Sequence, residues 1–161
     1  NNYIGKYLKP IIERFILNNG DLAMILNDKT SVGTIIGRVI HIDADESYVM
    51  NQRTMRLATR GEVSSTYLHF LINSDFTHKR IVGMAKPGTQ IYINTDDVLT
   101  FQLQFPLDRD EQTAIATILS DMDEEIQALE HRLNKTREIK QGMMQELLTG
   151  KTRLLKGGKN V

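Results

Sequence analysis

Hydrogen-bonding and cationic side chains fall in three groups along the first two-thirds of the sequence. Arg38 follows a polar stretch at residues 27–33; Asn51, Gln52, Arg53, Arg56 and Arg60 crowd ten residues; His78, Lys79, Arg80 and Lys86 form the third group. These are the residue types that nucleic-acid contact requires: Lys and Arg for phosphates, Arg or Lys for guanine edges, Asn or Gln for adenine edges. Taken singly, each also reads as an ordinary solvated polar group. The middle group is the strongest candidate, because four such side chains (Gln52, Arg53, Arg56, Arg60) within nine residues are dense for a nearly neutral stretch of chain.

Other chemistries find less support. His41, His69, His78 and His131 are scattered without metal-ligand spacing and read as surface or satisfied histidines. Glu138-Ile139-Lys140 has the E-x-K spacing of a metal-dependent nuclease, but it sits in a helical run without strand context and reads as a solvated helix face. The absence of cysteine removes disulfides and thiolate metal sites and fits a reducing compartment. Formal net charge is zero, which argues against holding nucleic acid by bulk electrostatics alone. No apolar run approaches the roughly 20 residues of a membrane span and no signal-peptide pattern opens the chain, so the expected location is the cytoplasm.

The elements that must position these groups are mixed. Residues 20–26 read as a buried strand after a turn, 27–33 as a polar loop, and 33–42 and 48–58 as β-rich; 90–93 and 98–105 supply further strand. Residues 64–72 predict a short helix with a Ser or Thr cap and Leu68, Leu71 and Ile72 at helical spacing. His78, Lys79, Arg80 and Lys86 are expected around a loop. The fold class is α+β: a globular domain over residues 1–107, a long helix over 108–150, and a flexible tail over 151–161.

The composition changes at Phe105-Pro106-Leu107, after which helical periodicity is unbroken. Asp108 and Glu111 have capping-box spacing, and Thr149-Gly150 supplies a C-terminal stop. The positions Ile115, Leu119, Met122, Ile126, Leu129, Leu133, Thr136, Lys140, Met143 and Leu147 alternate by three and four, and all but Thr136 and Lys140 are apolar. That is a coiled-coil seam, with Leu119 at position a. A continuous helix of roughly 40 residues spans about 60 Å; two helices broken near Ser120-Asp121 are the alternative. Residues 108–125 carry seven acids and one base, and residues 126–161 carry eight bases and three acids. This gradient matches the helix macrodipole, and it also sets acid against base when two copies lie antiparallel. Thr136 and Lys140, polar at core positions, would fix register. Gly142 marks close backbone approach or a bend.

Two stretches of this helix carry a family resemblance. Pro106-Leu107-Asp108-Arg109-Asp110-Glu111-Gln112-Thr113-Ala114-Ile115-Ala116 through Asp123 resembles, with one residue more between Leu107 and Glu111, the P-L-x-x-E-Q-x-x-I-A-x-x-L-x-x-x-D signature of type I restriction-modification specificity subunits. Residues 139–154, with Met143-Met144-Gln145 and Leu147-Leu148-Thr149-Gly150, resemble that family's K-x-x-M-M-Q-x-L-L-T-G-x-x-R-L ending. Before Pro106 the likeness is loose, carried by Gly20-Asp21-Leu22 and Asn51-Gln52-Arg53.

The resemblance implies a target-recognition domain that reads half of a bipartite double-stranded DNA site through the major groove. It also implies a spacer helix that pairs antiparallel, either with a second copy or with the other half of the same subunit, and docks methyltransferase subunits. Through that complex the chain would meet a nuclease/translocase subunit. The chain is then the second half of such a subunit or a half-sized version. Adenine methylation belongs to other chains: the Asn/Asp-Pro-Pro-Tyr/Phe motif is missing, since Pro10, Pro87 and Pro106 are never adjacent, so S-adenosylmethionine is expected on the partner and no cofactor here. The competing expectation is an oligomerisation module whose α+β domain binds protein.

Overall fold

The computed structural model describes residues 12–29, 33–59, 61–86 and 90–154. The tail from Leu155 and the candidate Arg60 lie outside the described residues. The chain divides into two units, Asn1–Thr117 and Ile118–Val161.

In the first unit, β1 (Ile16–Leu17) and β2 (Leu22–Ile25) come first, followed by β3 (Asn27–Asp28), β4 (Val39–His41), β5 (Tyr48–Val49) and β6 (Thr54–Leu57). Then come α1 (Ser65–Asn73), α2 (Asp75–Val82), β7 (Ile91–Tyr92), α3 (Thr95–Leu99) and the start of α4 (Arg109–Leu148). The mixed α+β class is as expected. The central sheet is antiparallel in the order β4-β2-β6, with Met24 opposite both Val39 and Met55, and Ala23 opposite Ile40 and Arg56. Leu22 and Met24 point into the main core with Leu26, Ile36, Val39, Ile72, Ile81 and Ile93. On the other face Ala23 packs with Leu17 and Ile42. Burial on both faces is why this strand is an unbroken apolar run rather than an alternating one.

Several strand expectations change. Within residues 33–42 only Val39–His41 is strand. Gly33 (φ 71°) and Gly37 (φ 73°) turn the chain and drive Ile36, fully buried, into the core. Gly37 N–H donates to the Ile25 carbonyl at 2.7 Å, and the buried Asp28 carboxylate accepts Ile35 N–H at 3.0 Å. Part of the expected polar loop at residues 27–33 is strand β3, paired with β7. Residues 48–58 form two short strands, not one, because a turn at residues 51–54 separates β5 from β6. His78, Lys79 and Arg80 stand on helix α2 rather than by a loop; Ser74 caps it, its hydroxyl accepting Thr77 N–H at 3.3 Å. Residues 98–105 are not strand: α3 takes up Val98 and Leu99, Thr100 ends it with αR backbone, and residues 101–105 form neither helix nor strand.

Helix α1 begins where expected, but Ser64 makes no side-chain cap. Its neighbour α4 runs unbroken through Ser120-Asp121. Asp108 Oδ1 accepts Asp110 N–H at 2.8 Å, the expected cap; among the described residues Glu111 makes no return bond. At the far end Gly150 adopts φ 73° and donates its N–H to the Leu147 carbonyl. No helix among the described residues is long and apolar enough to cross a membrane.

Candidate nucleic-acid interface

The turn at residues 51–54 is held by four hydrogen bonds. Asn51 Oδ1 accepts Arg53 N–H at 2.8 Å, the Asn51 carbonyl accepts both the N–H and the hydroxyl of Thr54, and the Arg53 carbonyl accepts Leu26 N–H at 2.8 Å. Asn51 is thereby a turn-maker, its side-chain oxygen spent on the backbone. Gln52 and Arg53 stand exposed at the tip, with no side-chain partner among the described residues. A rigid turn that presents a glutamine and an arginine has the donors and acceptors that base edges require, at low ordering cost.

Most of the other candidate cations are already engaged. Arg38 donates to the Asn73 carbonyl and lies 3.8 Å from Asp75 Oδ1. Beside it, Asn73 bonds both backbone groups of Val39, at 3.0 and 2.9 Å, and so extends the edge of β4 with an amide side chain. Arg56 pairs with Asp21 at 3.9 Å, and Lys86 with Asp97 at 4.0 Å. Arg80 donates to the Gln102 carbonyl at 3.1 Å and its guanidinium lies over Phe101 (4.7 Å) and Phe76 (5.7 Å). Lys79, on the same helix, is exposed without a partner among the described residues. His78 is buried, its Nε2 bonded to the Ile36 carbonyl at 2.9 Å, which makes it a core histidine. No cluster of potential metal ligands occurs among the described residues.

Arg38 is therefore a structural side chain first. Replacing it with alanine is expected to cost about 1.5–3 kcal/mol of stability, the range for a hydrogen bond to a charged group. A chemical-denaturation midpoint unchanged by Arg38→Ala would show the contact to be idle.

Gln112 is a functional candidate that residue type and spacing alone do not single out. It is fully buried, and its amide makes three bonds: Oε1 accepts Ser64 N–H at 2.8 Å, and Nε2 donates to the Glu62 carbonyl at 3.0 Å and the Pro106 carbonyl at 2.7 Å. Ser64 thus has its own N–H satisfied from outside α1, by the kind of bond that the second side chain of a capping box makes. Ala116, buried, and Ile115, half-buried, lie on the same face of the helix one turn on. Tyr67, on α1, is buried too; burial first and the Glu111 carboxylate second push its hydroxyl above the usual tyrosine range.

Along the second unit the helix seam is uncovered. Met122, Ile126, Leu129, Leu133 and Met143 are each about half exposed, while Leu119 and Leu147 are half-buried. Thr136 donates its hydroxyl to the Arg132 carbonyl at 2.8 Å, so Lys140 is the seam position whose polar group is not satisfied within the helix. Gly142 falls away from the seam, with open space where a Cβ would stand.

Residues 2–141 match the family model described as type I restriction modification DNA specificity domain. The specificity subunit of the type I restriction enzyme MjaVIII from Methanocaldococcus jannaschii is 28% identical over 154 residues, covering 95% of this chain and 35% of that subunit. The crystal structure of a type I restriction-modification system S subunit from M. genitalium superposes with a TM-score of 0.64 at 20% identity, covering 83% of this chain and 34% of the other, and shares the fold. The chain spans about a third of the length of these relatives.

Proposed function

The chain belongs to the type I restriction modification DNA specificity family, and from that premise we propose that it reads one half of a bipartite double-stranded DNA site within a methyltransferase complex. It is a non-catalytic subunit, as specificity subunits generally are. The methyl donor S-adenosylmethionine and the adenine chemistry lie on the partner methyltransferase subunits, and a nuclease/translocase subunit joins through them. The long helix pairs antiparallel with a second such helix, from another copy or from the other half of the same subunit, and its length sets the gap between half-sites. The match over residues 2–141 carries this reading, and the rigid, exposed turn at Gln52 and Arg53 supports it.

Base reading and phosphate binding predict different signatures. Replacing Gln52 or Arg53 with alanine should weaken binding of the cognate duplex by about 1–3 kcal/mol, roughly 5- to 150-fold, and relax preference at one or two positions. Lys79→Ala should weaken all duplexes alike and reduce the salt slope by about one. Competition binding of the assembled complex against randomised duplexes tests both. A parent complex without sequence preference would overturn the specificity reading in favour of a protein-interaction module.

A further inference from the structure

Gln112 is joined to its own domain through bonds that define a direction, whereas the apolar contacts around it do not. Ala116 and Ile115 hold the helix by burial, which tolerates sliding and rotation, because hydrophobic attraction is non-directional. Hydrogen bonds of 2.7–3.0 Å to three backbone groups tolerate little of either. The amide also fits in one orientation alone: its oxygen meets an N–H, and its nitrogen meets two carbonyls. The three groups come from the chain leading into α1 (Glu62, Ser64) and from the residue two before the helix cap (Pro106), so a single side chain ties the helix's origin to two separate segments of the domain.

We propose that Gln112 is a positioning residue that fixes the rotation and direction with which α4 starts, and thereby which gap between DNA half-sites the assembly accepts. The inference rests on the functional reading above. Its leverage is geometric. Each added base pair moves the second half-site by about 3.4 Å and about 35°, while a slip of one residue turns an α-helix by about 100°. A loosely anchored helix would therefore blur a one-base-pair difference even with its length unchanged.

The test uses the assembled methyltransferase complex and a set of duplexes carrying the recognised half-sites with the gap native, or one or two base pairs longer or shorter. Gln112→Met keeps the side chain's length and removes all three bonds. Ser64→Pro removes one N–H donor at a residue whose φ of −71° and ψ of 133° suit proline, and it serves should the first variant not fold. Either variant is expected to reduce discrimination between native and altered gaps at least fivefold while preserving the base preference within each half-site. Equal weakening on every duplex, or unchanged gap discrimination in a variant that binds, overturns the positioning role and leaves the recognition reading standing. A parent complex without base preference overturns both.

Discussion

Gly37→Ala should destabilise the globular unit by about 2–5 kcal/mol. Two costs combine. The left-handed backbone at φ 73° costs a residue bearing a Cβ about 1–2 kcal/mol, and the added methyl would lie 2.2 Å from Ile81 Cγ2, an overpacking worth about 1–3 kcal/mol. Neither neighbour can yield easily. Ile81 is buried in the main core, and Gly37 is fixed through its N–H to the Ile25 carbonyl. Ile36, one residue earlier, is fully buried with its carbonyl held by His78. Against a total stability of about 5–15 kcal/mol, that loss removes a large share of the margin that keeps the unit folded. Denaturant unfolding measures it, and the two costs can be separated: in an Ile81→Leu background the clashing Cγ2 is gone, so the packing part should be recovered and the backbone part should remain. A midpoint within about 0.5 kcal/mol of the parent would mean that the turn relaxes freely.

The same turn shows where local pattern stops informing. Ile35, Ile36, Val39 and Ile40 are β-branched and favour a strand by type, yet Gly33 and Gly37 adopt backbone angles that no strand contains. Helix α2 was hidden because Ser74 ends α1 and caps α2 at once, leaving no polar interval to mark a boundary. In α3, Asp96 and Asp97 are a helix-start signal that the apolar residues after them outweighed. The start and stop of α4 are readable because their determinants, Pro106, Asp108 and Gly150, are local, whereas the three-four spacing leaves a break near Ser120-Asp121 open and the helix runs through it. The candidate interface was legible by residue type only. Arg38, Arg56 and Lys86 find Asp75, Asp21 and Asp97 through the fold, which no spacing rule reveals. Gln112 did leave a trace. Extending the seam one heptad upstream of Leu119 places it at position a, and a glutamine on an otherwise apolar stripe signals a buried amide with fixed partners.

That extension also bears on the second large effect, the loss of helix pairing on making the seam polar. Over its first turns the stripe is used by the chain itself, through Gln112, Ile115 and Ala116. From Met122 to Met143 the same stripe is exposed, at a period suited to another helix and not to solvent. Leu129→Asp combined with Leu133→Asp removes two apolar side chains worth about 1.5–3 kcal/mol each when buried, so pairing should weaken by roughly 10²- to 10⁴-fold at about 1.4 kcal/mol per decade, with the globular unit still folded. Orientation is tested by charge. Reversing Asp123, Glu124 and Glu125 should weaken self-association by about tenfold, given up to about 1 kcal/mol per exposed pair, and reversing the bases among residues 135–140 of the facing helix should restore it. Only an antiparallel arrangement brings those two ends together. Sedimentation equilibrium reads all three cases, and a parent that stays monomeric, or a dimer indifferent to both sets of changes, would sink the pairing. Because Thr136 satisfies its own hydroxyl, Lys140 alone should carry the register: Lys140→Leu is expected to tighten pairing while admitting a second alignment, the usual exchange of specificity for stability at a polar core position.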